Sequence, residues 1–232
     1  MSAGLTLRNV TVEGRGGPIL DGVTLDAAPG ERLGVAGPNG AGKSTLARLI
    51  VGAATPTAGE LRIDGLLPTH FRARFGIGFL HEDGSRAWER ITPRDVLTLQ
   101  APSADPIEDH PLISALRLLP LLDRRIATLS KGEWRACQAA LALWTRPRLA
   151  LLDEPESGLD PAAHERMRSA ILWAAESGTT CVVFSHHLDL LVRTVDRLVI
   201  LSRGRVCDVF PVAAMGVADV RARYLDATSR PC

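Results

Sequence analysis

The stretch GPNGAGKST, Gly37 to Thr45, decides how the rest of the chain is read. It fits the spacing G-x-x-x-x-G-K-[ST]. It lies between RLGVAG, which reads as a short strand, and a segment from Lys43 to about Val51 that reads as a helix closed by Gly52. Gly37, Gly40 and Gly42 let the backbone curl so that its N–H groups face phosphate oxygens, and the helix N-terminus adds partial positive charge. Lys43 is placed to reach the β- and γ-phosphates and Ser44 to ligate Mg²⁺, while Pro38, Asn39, Ala41 and Thr45 complete the loop. The stretch predicts binding of a nucleoside triphosphate. A glycine-rich turn with a chance lysine is the bland alternative, and it does not explain a full match between strand and helix. Lys43 and Lys131 are the only lysines, every other basic residue being arginine. Codon bias in an alanine-rich chain accounts for that imbalance, yet each remaining lysine invites a chemical question.

Outward from this loop, LTLRNVTV (Leu5 to Val12) alternates apolar and polar residues as a half-buried strand does. GVTLDAAPGE repeats the pattern into a Pro-Gly turn, and GELRIDG is another short strand between glycines. These predict an antiparallel β layer around the strand–loop–helix unit. Further on, RLALLDEP is a continuous apolar run suited to a buried parallel strand. Asp153 and Glu154 stand at its end, where open α/β sheets bind their ligands. Asp153 is thereby placed to hold Mg²⁺ opposite Ser44, and Glu154 to take a proton from an attacking water. Asp160-Pro161 opens a helix to about Glu176 with Gly178 as terminator, and TCVVFSHH and RLVILSRGR are two more strands flanking a helix.

The middle of the chain, 84–130, changes character. Thr92-Pro93-Arg94-Asp95 carries an N-cap, a proline at the first helical position and a capping-box acid, and LISALRLLPLL is apolar and helical in pattern. No convincing strand stands there, so it reads as a helical insertion. The expected fold class is α/β: a P-loop core with a mostly parallel sheet, an N-terminal antiparallel β layer and an inserted helical subdomain. The core takes residues 1–83 and 131–232 of a single domain.

Bulk properties exclude several classes. A net charge of +1 and the lack of a basic stripe argue against a nucleic-acid partner. The N-terminus MSAGLTLRNV has no signal-peptide pattern, and no apolar run approaches the ~18 residues that span a bilayer. Cys137, Cys181, Cys207 and Cys232 show no CxxC spacing and read as small core residues or a tail thiol in a reducing compartment.

The phosphate loop, the helical insertion, LSKGE (Leu129 to Glu133), LLDEP, ESGLD (Glu156 to Asp160) and VVFSHH follow one another in an order that resembles the ATP-binding cassette family over nearly the whole chain. LSKGE looks like that family's signature, usually LSGGQ; ESGLD looks like its D-loop. VVFSHH looks like its switch strand, which makes His186 the residue that would contact the γ-phosphate. His187 has no clear assignment, and no third ligand supports a metal-binding histidine pair. The resemblance implies ATP hydrolysis by two cassettes paired head to tail around two ATP molecules. Each site takes its phosphate loop from one chain and its signature from the other. Ser130 would offer a hydroxyl and Gly132 a close backbone approach, so a second ATPase subunit is required, identical or homologous.

Three positions depart from the family's pattern. The glutamine expected before the insertion is replaced by Glu82, with His81 or Asp83 as alternative alignments; a carboxylate there could still ligate Mg²⁺ but adds negative charge near the γ-phosphate. The aromatic expected near Gly14 to stack on the base is absent, and Arg15 is the substitute at hand. Lys131 and Glu133 replace glycine and glutamine; Lys131 either faces the partner's nucleotide or is a solvated loop lysine. The resemblance implies the ATPase subunit of a membrane transporter, cytoplasmic and held on the inner face of the cell membrane by separate transmembrane permease subunits. The bare, short cassette leans slightly toward export. Docking would fall near Glu82 to Val96, where Trp88 and Ile91 are either contact residues or core. The alternative is a soluble ATPase of the same class, in repair, translation or cofactor assembly.

Overall fold

The computed structural model describes residues 2–81, 90–100 and 106–229. Among them the strands are β1 (Leu5–Gly14), β2 (Gly17–Ala27), β3 (Arg32–Ala36), β4 (Ala58–Ile63), β5 (Gly78–Leu80), β6 (Leu149–Asp153), β7 (Thr180–Phe184), β8 (Arg197–Ser202) and β9 (Arg205–Pro211). The α-helices are α1 (Lys43–Ile50), α2 (Pro68–Phe75), α3 (Pro93–Gln100), α4 (Pro111–Ala115), α5 (Lys131–Leu143), α6 (Pro161–Glu176), α7 (Leu188–Thr194) and α8 (Val217–Ser229). Two sheets organise them. An antiparallel sheet has the order β2-β1-β4, and a larger one runs β5-β6-β7-β3-β8-β9, parallel except for β9.

The period of two along the parallel strands divides the core. Leu149 and Leu151, Val182 and Phe184, Val199 and Leu201 face the antiparallel sheet and α1. Ala150 and Leu152, Cys181 and Val183, Leu198 and Ile200 face α5, α6 and α7. Side chains pointing to both faces are thus removed from water, each large one contributing ~1.5–3 kcal/mol. Every residue of β6 and β7 is buried. This layering places the carboxyl ends of β6, β7 and β3 side by side, and the loops that follow them form one crevice.

The helix signals behave as the sequence predicts. Asp160 caps α6, its carboxylate accepting from the Ala163 N–H at 2.7 Å, and Gly178 follows the helix end at φ 92. Thr92 and Asp95 close a reciprocal capping box at α3, with Thr92 N–H donating to Asp95 at 2.8 Å and Asp95 N–H to the Thr92 hydroxyl at 3.2 Å. LISALRLLPLL, however, is not one helix. α4 stops at Ala115, Arg117 takes a left-handed φ of 53, and Leu118 N–H turns back to the Ile113 carbonyl at 2.8 Å. Pro120 follows in a 3₁₀ turn. From Arg90 to Ser130 the described residues hold helices and turns and no strand.

Four elements have no counterpart in the sequence reading. α2 buries only Phe71, so it carries no amphipathic period to detect. β5 is three residues long and exists because β6 offers it a parallel edge. β9 is half-exposed, and α8 buries only Val220, so both depend on docking beside β8 rather than on a pattern of their own. No helix among the described residues is long and apolar enough to cross a membrane.

Candidate active site

The phosphate loop joins β3, the inner strand between β7 and β8, to α1. A side chain at Gly37 would run into the Leu201 carbonyl at 2.2 Å, and Gly42, the N-cap of α1, sits at φ 104. The loop conformation is therefore closed to other residues at these positions. Lys43 is buried and folds back over the loop, its Nζ donating to the carbonyls of Gly37 at 2.7 Å and Pro38 at 3.4 Å. A cleft of ≈ 730 Å³ opens above it, lined by Pro38 to Thr45, Asp153, Glu154 and His186, with Ile19 of β2 at its rim. The structure thus gathers the loop residues and the acids of β6 as the sequence predicts. Arg15 is exposed at the β1–β2 turn and does not line this cleft; the exposed apolar Ile19 does.

Asp153 and Glu154 are both buried at the end of β6. Glu154 holds a left-handed φ of 46, unusual for a residue with a side chain, and its N–H donates to the Phe184 carbonyl at 2.8 Å. Its Oε2 lies 2.7 Å from Nδ1 of His186, whose ring is 55% exposed to the cleft side, and 3.4 Å from the His186 N–H. Glu154 is thus oriented by His186 before any substrate arrives. Behind the pair, Glu156 is buried and accepts from the Ser185 hydroxyl, which in turn accepts from the His187 N–H at 2.9 Å. Burial pushes the Glu156 carboxyl up to about 7, although the Ser185 hydrogen bond favours its ionised form.

The second site element stands apart. Ser130 caps α5: its Oγ accepts from the Glu133 N–H at 3.2 Å while Glu133 Oε2 accepts from the Ser130 N–H at 2.7 Å. Those backbone hydrogen bonds, with Arg124 at 2.9 Å, hold the Glu133 carboxyl below its usual range. Glu133 therefore has a structural task in this chain, closing a capping box. The Ser130 hydroxyl still has its own hydrogen to donate. A cleft of ≈ 530 Å³ lies over this helix start, lined among others by Ser130, Lys131, Gly132, Arg117, Gly158 and Arg166. The Lys131 stem crosses Gly158, its Cδ, Cε and Nζ lying 3.0, 3.1 and 3.4 Å from the point where a Cβ would stand. Lys131 is thus packed on the neighbouring loop and lines the cleft at once. The two clefts share no lining residue.

Glu82 and Trp88 lie outside the described residues. His81, the alternative at the Glu82 position, is half-buried and packs edge-on against Phe79 at 5.5 Å. Ile91 packs against the buried core, which decides between its two readings. Cys137 and Cys181 are free, buried thiols, pushed up to about 12 by burial. The sequence reading placed Glu156 only at the start of ESGLD, without a role of its own, and missed Ile19 and Arg135. Of the two missed, only Arg135 left a signal, a charge set among the inward-facing apolar residues of α5.

A phosphate loop on the inner strand, an acidic pair at the end of the adjoining buried strand and a capped signature helix define a P-loop nucleoside triphosphatase of the cassette type. A family model described as ABC transporter matches residues 20–157, and the chain belongs to the ABC transporter family as one of its ATPase cassettes. Nod factor export ATP-binding protein I of Rhizobium meliloti is 35% identical, covering 88% of this chain and 63% of that protein; the chain spans less than two thirds of that relative. Lipopolysaccharide export system ATP-binding protein LptB of Escherichia coli K12 is 34% identical over 88% of this chain and 89% of its own length. A solved structure of the ATP-binding subunit of an ABC transporter superposes at a TM-score of 0.80 and 27% identity, covering 95% of this chain and 92% of that one.

Proposed function

We propose that the chain is the ATP-hydrolysing subunit of a membrane exporter, working as a pair of cassettes held on the inner face of the membrane by separate transmembrane permease subunits. The observation that carries the pairing is the separation of the two clefts. Ser130 and Gly132 line a surface that the chain's own phosphate loop does not share, which supports a second chain supplying one half of each site. The export relatives support the direction, and Leu99 of α3, 74% exposed, with Leu119 is apolar surface suited to a permease contact. In this reading the core comprises 1–83 and 131–232, and 84–130 is the helical insertion that docks.

The residues of the phosphate cleft fit a nucleotide with its metal. The glycine turns shape a loop of N–H groups, Lys43 supplies a buried ammonium, and Ser44 and Asp153 offer oxygen ligands to the same cleft. Mg²⁺, when bound, supplies positive charge that offsets charge on the phosphates, and Ser44, Asp153 and Glu82 are the residues that would hold it. Glu154 takes the proton of the attacking water, its carboxylate steadied at Oε2 by His186. His186 would contact the γ-phosphate through its other ring nitrogen, Nε2, which donates there only when both ring nitrogens carry a proton. Ser130 and Gly132 of the partner chain close the site by presenting a hydroxyl and a bare helix start to that phosphate.

The test is Glu154→Gln. Turnover should fall at least ~100-fold while ATP-dependent dimers accumulate on size-exclusion chromatography. Hydrolysis at the unmutated rate would remove Glu154 as the base. Purification from membranes should bring down a polytopic subunit; a soluble partner with no membrane dependence would replace the transporter reading with that of a soluble ATPase.

A further inference from the structure

Arg135 is a buried cation to which the mechanism above gives no task. It lies in the first turns of α5, 3% exposed, among Trp134, Cys137 and Ala139. Burying a guanidinium is costly unless its N–H groups are engaged. They reach across to the sheet. Nη2 donates to the main-chain carbonyl of Asp153 and, at 2.6 Å, to that of Glu154; Nη1 donates to the carbonyl of His81 at 2.5 Å. These carbonyls lie at or just past the ends of two adjacent parallel strands, β5 and β6. One planar fork therefore ties the signature helix to the backbone that carries both acids and to the residue preceding Glu82.

We propose that Arg135 is a positioning residue: it fixes the backbone pose of Asp153 and Glu154 and passes to them any shift of the signature helix. The proposal rests on the reading of Glu154 as the base. Glu154 needs such a hold because its left-handed φ of 46 is disfavoured for a residue with a side chain. Its carbonyl also accepts from the Ser157 N–H at 3.0 Å, so the peptide after Glu154 is pinned from two sides. Ser130 and Arg135 ride on one rigid helix, with ~7.5 Å of rise between them. A nucleotide of the partner chain that pulls on Ser130 and Gly132 moves the fork, and the fork moves the acids of this chain's own site. Lysine cannot replace it, because a single ammonium does not match the flat spread of three carbonyls.

The test uses the full chain with Arg135→Lys, Arg135→Gln and, as a control for loosening α5, Cys137→Ala, a buried neighbour whose thiol is not a hydrogen-bond partner of these carbonyls. ATP affinity, turnover, the Hill coefficient for ATP and melting temperature are measured together. Both Arg135 variants are expected to bind ATP within about twofold of the parent, to lose at least ~10-fold in turnover and to show a Hill coefficient near 1, while Cys137→Ala keeps turnover and cooperativity. Turnover that stays at the parent rate overturns the proposal. So does a loss that follows melting temperature equally in all three variants. Hydrogen exchange at the amides of 153–157 supplies a readout independent of hydrolysis: it should quicken at least ~10-fold in the Arg135 variants only, and unchanged protection there overturns the proposal. A parent chain without turnover would instead sink the hydrolytic reading, with the exchange result still deciding the role of Arg135.

Discussion

The two clefts of this chain are built on different terms. The phosphate cleft is rimmed by the ends of buried parallel strands; Gly37 is required there by the chain's own packing, since a side chain would strike Leu201. The signature cleft is made of a helix start, a loop and three cationic side chains, Arg117, Lys131 and Arg166. Of its two glycines, Gly158 sits at φ 75 but Gly132 is not required by the fold. A Cβ on Gly132 would meet Leu159 at 3.6 Å and the Gly158 carbonyl at 3.7 Å, ordinary contacts. The room left beside Gly132 agrees with the proposed close approach of a partner chain's nucleotide. One cleft is shaped by the core; the other is the one proposed to meet a partner.

The largest effect expected from breaking this contrast comes from separating the two halves on different chains. Lys43→Ala and Gly132→Glu should each lower turnover by ~100-fold or more, Gly132→Glu with its own ATP binding and melting temperature intact. An equal mixture of the two should regain measurable turnover, at most about a quarter of the parent rate, because half of randomly formed pairs are mixed and each keeps one intact composite site, without a second nucleotide pulling on the signature helix of the hydrolysing chain. A mixture as inactive as its parents would argue against shared sites. Next in size is Ser130→Ala. It removes the α5 cap, costing ~1 kcal/mol in a denaturation curve, and lowers turnover ~10-fold while ATP binding to the same chain is unaffected. Equal losses in binding and turnover would place Ser130 in its own chain's cleft.

The smallest effect sharpens the other side of the contrast. Glu156 sits behind the phosphate cleft with its carboxyl raised from 4.5 to about 7. The folded chain therefore keeps a proton that the unfolded chain releases across that window. Stability from this group falls as pH rises through the window and is lowest above it. Glu156→Gln cannot ionise, so thermal melts at pH 5, 6, 7 and 8 should show a flatter profile. The variant should gain on the order of 1–2 kcal/mol over the parent at pH 8 and nothing comparable at pH 5. Parallel profiles would show that Glu156 does not carry the proton.

What could be read from the chain alone follows a physical divide. The phosphate loop, the β6 run ending in Asp153 and Glu154, and the α6 boundaries at Asp160 and Gly178 were legible, because each rests on local rules: glycine conformations, burial on both faces, and caps within one turn. Glu133 looked like an odd substitution, and only its hydrogen bonds to Ser130 and Arg124 show why a carboxylate stands there. α2, β5, β9 and α8 were not legible, since neighbours rather than periodicity hold them.

The sequence by itself determined that this chain binds a nucleotide and which short stretches surround it, because backbone turns and caps are decided within a few residues. The tertiary structure alone decided that the signature residues and the phosphate loop of one chain line separate clefts. It also decided that Glu154 meets His186 and that Arg135 grips the carbonyls of Asp153 and Glu154. Those facts depend on which strand ends lie side by side and which helix packs over them. Long-range pairing sets that, and no local pattern encodes it.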